Sequence, residues 1–212
     1  MMMHNCKLVR RLIRDQHGVA FIEFAFAAPL LLTLMLGGVE LTNFLLAHMR
    51  VNQIAVTVAD NAGRIPVAVD EANIYEVFAG ARVLGQDITF EDHGRVVLSS
   101  LQNNGRTGTT AGQMIHWQRC WGKLAIAPSY GIQGKGRTDN TLRDGMGPTG
   151  HKIRAAAETA VMFVEVTYEY QPLIGRGWLD VGRIRHESAF NVRSRVNQDI
   201  ANGSGLAVHT CA

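Results

Sequence analysis

The residues best placed to do chemistry meet at one boundary. Gly18 and Val19 stand where a charged stretch ends and an apolar run begins, and Glu23 is the lone acid inside that run. A small, conformationally free residue at such a boundary suits a protease working at a membrane face, because its substrate must be extended there before the helix starts. The other reactive side chains are dispersed. Cys6, Cys120 and Cys211 show no short metal-ligand spacing. His93, His116, His151 and His186 fall in no H-E-x-x-H pattern, and no G-x-S-x-G elbow occurs. Glu165, Asp180 and Glu187 form no pair that spacing alone can join. The run G-I-Q-G-K-G-R-T from Gly131 lacks the G-x-x-x-x-G-K-[ST] spacing of a phosphate loop. No catalytic residue, metal, cofactor or small-molecule substrate is therefore expected.

The elements that carry these residues begin with a membrane span. Residues 19 to 39 are 21 residues with one acid, Glu23, or roughly 30 Å of helix, the hydrocarbon thickness of a bilayer. Lys7, Arg10, Arg11 and Arg14 precede it against a single Asp15, so the positive-inside rule places residues 1 to 18 in the cytoplasm as a basic leader and everything after residue 40 outside the inner membrane. A signal peptide shares the basic start, but its apolar core is shorter and ends at a small-x-small site, whereas Gly37-Gly38 runs into Val39 and Glu40. Glu40 reads as an interfacial charge. Beyond it, Leu41, Phe44, Leu45, Val51, Ile54, Ala55, Val58 and Ala62 keep helical spacing. One helix from Val19 to Ala62 is predicted, with Pro29 inside it, residues 40 to 63 as an amphipathic extension and Gly63 as the cap.

The remainder, 64 to 212, reads as an exported α+β domain. Asp70 opens a helix with Ile74, Val77, Phe78, Ala81 and Leu84 on one face, closed by Gly85. Strand patterns follow at Arg95 to Leu101, Met114 to Trp121, Val161 to Tyr170 and Arg183 to Val192. A small antiparallel sheet packed on the spine helix is expected, an α+β arrangement. The stretch from 131 to 150, with six glycines and no apolar cluster, is predicted to be a surface loop. A net charge of +3, with basic residues scattered rather than gathered on one face, argues against nucleic acid as a partner. Cys120 and Cys211 share the oxidising side and can form a disulfide, while Cys6 stays cytoplasmic.

G-V-A-F-I-E-F-A-F-A-A-P-L-L-L and G-G-V-E-L, within residues 18 to 60, resemble the membrane segment of the TadE-like proteins, pseudopilins of tight-adherence, type IV-like pilus assembly. V-E-V-T-Y-E-Y-Q-P-L-I, from Val164, and S-A-F-N-V-R, from Ser188, are more loosely similar. The resemblance implies cleavage by a prepilin peptidase between Gly18 and Val19, with Glu23 as the family's acid at mature position five and a partner for the freed Val19 amine. Glu23 and Pro29 then belong to helix packing in assembly. Implied partners are the membrane, the peptidase, other pilin-like subunits and the pilus-assembly machine, either in the membrane or in a surface pilus. The competing expectation is a membrane-anchored exported binding protein or hydrolase unrelated to pili.

Overall fold

A computed structural model describes residues 17–174, 182–193 and 195–211. The basic leader through residue 16, and Asp180, lie outside the described residues. The first element is one continuous helix, α1 (His17–Arg64), which passes through Pro29. Thr33 and Thr42 donate their hydroxyls back to the carbonyls of Pro29 and Gly38, at 2.7 and 2.8 Å, so neither hydroxyl is left bare to the surroundings. The helix ends two residues later than the expected Ala62. Pro66 disfavours helical geometry at Ile65 and so sets the stop. Gly63 is not the cap: it stays helical, and a Cβ there would lie 3.3 Å from the Asn191 carbonyl. Its smallness lets a strand end approach the helix, and Arg193 N–H reaches the Gly63 carbonyl at 3.3 Å.

After β1 (Val69–Asp70) comes α2 (Glu71–Gly85). It starts where the sequence signals it should, because Asp70 and Asn73 form a reciprocal capping box, each side chain taking a backbone N–H at 3.0 Å. A short helix, α3 (Phe90–His93), leads into β2 (Gly94–Asn103), followed by β3 (Gln113–Trp121), β4 (Ala160–Glu169), β5 (Arg183–Asn191) and β6 (Ile200–Ala201). Four strands form an antiparallel sheet in the order β3-β2-β4-β5. The tail returns to pair β6 with β1 in parallel, Val69 opposite Ile200.

One face of this sheet packs on the helices. Val51, Ile54, Ala55, Val58 and Ala62 of α1 and Ile74, Phe78 and Ala81 of α2 are buried against Val96, Leu98, Met162, Val164, Val166 and Ile184. Phe90 stacks between Trp121 and Tyr168, with centroids at 5.7 and 5.9 Å. Each fully buried aliphatic side chain contributes about 1.5–3 kcal/mol. The exposed ion pair Arg50–Asp87 contributes at most about 1 kcal/mol, so apolar packing, not surface charge, holds the sheet to the spine. The amphipathic stripe is shorter than its spacing suggests. Leu41 and Leu45 face outward and join no core.

The opposite face of the sheet corrects the expectation for residues 131–150. Leu142 and Met146 are buried there against Leu101, Ile115, Val161 and Phe163, with Tyr130 packed alongside. The segment is a lid over a second small core. Two glycines make this possible: Gly136 (φ +79) and Gly145 (φ +88) lie where a Cβ would collide with the carbonyls of Gln113 and Ile153. The same segment also covers the β3 edge, since Ile115 N–H donates to the Lys135 carbonyl at 2.9 Å and Gly134 N–H to the Ile115 carbonyl at 2.8 Å.

Candidate functional site

Gly18, Val19, Glu23 and Pro29 all lie on the exposed first half of α1. Glu23 sits four residues from Val19, one turn up the helix, about 6 Å along its axis. Among the described residues no side chain hydrogen-bonds to Glu23, and residues 18–39 make no buried core with the domain. The helix is long and apolar enough to cross a membrane, and its most apolar window is wholly exposed. A soluble helix would bury such a surface in its own core.

The polar centre of the molecule lies at the other end of that span. Glu40 is only 4% exposed. Its carboxylate accepts from the Tyr170 hydroxyl at 2.6 Å and from the backbone N–H groups of Leu173 and Ile174 at 3.0 and 3.1 Å. Asn43 donates to the same Tyr170 oxygen at 2.8 Å, and Phe44 meets the Tyr170 ring edge-on at 5.2 Å. Burial first, and then the hydrogen bond to Glu40, push the Tyr170 hydroxyl up to about 12. Glu40 is therefore not a solvated interfacial charge but the pin between α1 and the loop after β4.

Residues 18–60 match the family model of TadE-like protein. The TadE-like segment is nearly the whole of α1, including Glu23, Pro29 and Glu40, and the sheet domain lies outside it. No curated protein and no solved structure matches the chain. Glu40 thus stands inside the TadE-like segment while all its hydrogen-bond donors named above stand outside it. Its only sequence signal is an acid flanked by Val39 and Leu41, just past the apolar run that holds Glu23.

Cys120 and Cys211 are joined as a disulfide, their Cα atoms 5.0 Å apart. The bond ties the chain's end to β3, beside a 2.8 Å hydrogen bond from Cys120 N–H to the His209 carbonyl. The acids Glu165 and Glu187 do come together, which spacing could not show: Arg185 donates to Glu165 at 3.0 Å and to Glu187 at 2.5 Å, and Tyr130 donates to Glu187 at 3.0 Å. Burial raises the Glu165 carboxyl above its usual range, and burial with the Glu187 contact pushes Tyr130 up to about 12. A cavity of about 490 Å³ adjoins this cluster, lined by Ile153, Phe163 and Ala189. The guanidinium shared between both carboxylates makes it an ion-paired brace between β4 and β5. Among the described residues no three His, Cys, Asp or Glu side chains are grouped to hold a metal.

His186 of β5 meets His48 of α1, ring nitrogens 3.4 Å apart. Burial, then the nearby His48, lowers the His186 pKa below 6.5. Above the unfolded value the His186 ring is neutral in both states and costs nothing. As pH falls through 6.5 the unfolded chain takes up a proton first, and stability drops until the folded pKa is passed. Glu165, with its raised pKa, acts in the opposite sense. The detergent-extracted protein is expected to melt lower at about pH 5.5 than at about pH 7.5, and His186→Gln to reduce that dependence in thermal melts, with His209, whose pKa burial also lowers, supplying the remainder. Identical pH profiles for the two proteins would remove the histidine pair as its cause.

Proposed function

We propose that this chain is a pseudopilin, a structural or assembly subunit of a tight-adherence pilus system, and not an enzyme. The observation that carries the proposal is the coincidence of the TadE-like match with an exposed apolar helix, the one such helix among the described residues, bearing one acid near its start. In this reading the N-terminus is cytoplasmic, the helix spans the inner membrane and the α+β domain is periplasmic. A prepilin peptidase cuts between Gly18 and Val19. Glu23, one turn from the new amine, pairs with it on the same chain or on a neighbour. In low dielectric an unpaired charge costs several kcal/mol, so that pairing selects the register in which subunits pack. Pro29 shapes the same packing surface.

Complementation of a deletion strain tests the proposal. The deletion should lose surface pili, and the wild-type gene should restore them. Glu23→Ala should give a membrane-inserted, processed protein with piliation lost or strongly reduced, because Phe24 to Leu36 is apolar enough to insert without residue 23. Normal piliation in the deletion strain would sink the proposal. Wild-type piliation with Glu23→Ala would strip Glu23 of its assembly role.

A further inference from the structure

Apolar surface continues along α1 past Glu40. Leu41, Leu45, Leu46 and Met49 are all exposed, a run of leucines and methionine over more than two turns that water would disfavour. From Val19 to Leu46 is 28 residues, about 42 Å of helix, the thickness of a bilayer with its headgroup regions included. Glu40 then lies within the membrane's outer boundary rather than beyond it. An acid at that depth is tolerated when it is screened and hydrogen-bonded, which is what Tyr170 and the 173–174 amides provide.

The loop that screens Glu40 is therefore at the same level. Leu173 has its N–H tied to the Glu40 carboxylate, and the residue is 65% exposed. With Leu34, Met35, Gly38, Val39 and Leu46 it lines an open groove of about 490 Å³. Leu34 and Met35 belong to the span itself, so the groove is continuous with the lipid-facing surface. We infer that the 171–174 loop is a second membrane contact: Leu173 enters the lipid interface, and lipid methylenes fill the groove between it and α1. The inference rests on the reading of α1 as a membrane span. Its consequence is a domain held at a fixed tilt on the bilayer by two contacts, the helix and the loop, with Glu40 locking one to the other.

The test uses the full chain with Cys6→Ser, reconstituted in phosphatidylethanolamine–phosphatidylglycerol vesicles and spin-labelled singly at Leu34→Cys, Leu173→Cys or Val83→Cys. Val83 is exposed on α2, whose end packs against Ile54, about 20 Å along the helix from Glu40. Relaxation by oxygen, which concentrates in lipid, is compared with relaxation by a water-soluble nickel chelate. The ratio at 173 should stand several-fold above that at 83 and approach that at 34. A ratio at 173 equal to that at 83, with 34 still lipid-like, would overturn the loop contact alone. A label at 173 shielded from both reagents would overturn it in favour of a protein neighbour. A water-like ratio at 34 would take down the membrane reading and the inference together.

Discussion

Glu40→Ala is expected to lower the melting temperature of the detergent-extracted protein on the order of 10 °C and to open the loop after β4 to protease. The carboxylate has three donors, the Tyr170 hydroxyl and the N–H groups of Leu173 and Ile174. Truncation leaves all three without that acceptor, the Tyr170 hydroxyl in a buried setting and the two amides in a part-buried one, at about 1–3 kcal/mol for each group that water cannot reach. A loss of about 3 kcal/mol in a domain of this size corresponds to the stated shift. Glu40→Gln should fall between, since one amide oxygen replaces two carboxylate oxygens. Tyr170→Phe should cost less than Glu40→Ala, because the two backbone donors keep their partner. An unchanged melt and an uncut loop in Glu40→Ala would show that packing alone, through Phe44 and its neighbours, holds the loop in place.

Cys211→Ser should be of similar size but act by another route. The bond closes a loop across a sequence separation of 91 residues, and removing it frees the unfolded chain by about 4–5 kcal/mol in the chain-entropy model. In the folded state the released tail still has the Cys120 N–H to His209 carbonyl bond at 2.8 Å, Tyr75 to the Ala207 carbonyl at 2.8 Å, Gly203 N–H to Asp70 at 2.8 Å, the His209 ring against Tyr75 and Phe78, and the β1–β6 pairing. The expected outcome is a drop in melting temperature on the order of 10 °C and faster proteolysis of the last residues. Reduction of the wild-type protein should reproduce it. Equal alkylation of both cysteines before and after reduction would show that the bond does not form.

Much of the architecture is readable where local rules decide. The span is legible from composition, α2 from Asp70 and its spacing, and the four long strands from alternation, because each signal lies within one element. The functional junction is not local. Glu40 and Tyr170 are 130 residues apart, and an acid beside a membrane edge looks the same whether solvated or pinned. Glu71 and Arg119, 48 residues apart, form a buried ion pair between α2 and β3 on the same terms. The 131–150 segment misleads for a different reason. Its two core residues, Leu142 and Met146, are too few to register as a cluster, and glycines that look like flexibility are required by close backbone approach at Gly136 and Gly145. Leu41 and Leu45 fit the helical period equally well facing a core or facing lipid.

The most direct test of the proposed role is the N-terminus of the chain in its own cells. Intact-mass and N-terminal peptide spectrometry of the membrane-extracted protein, in a strain with an active prepilin peptidase, should find Val19 as the first residue, and Gly18→Leu should leave the leader attached. Recovery of only the full-length chain from those cells, or of a cut near residue 40, would contradict the pseudopilin account.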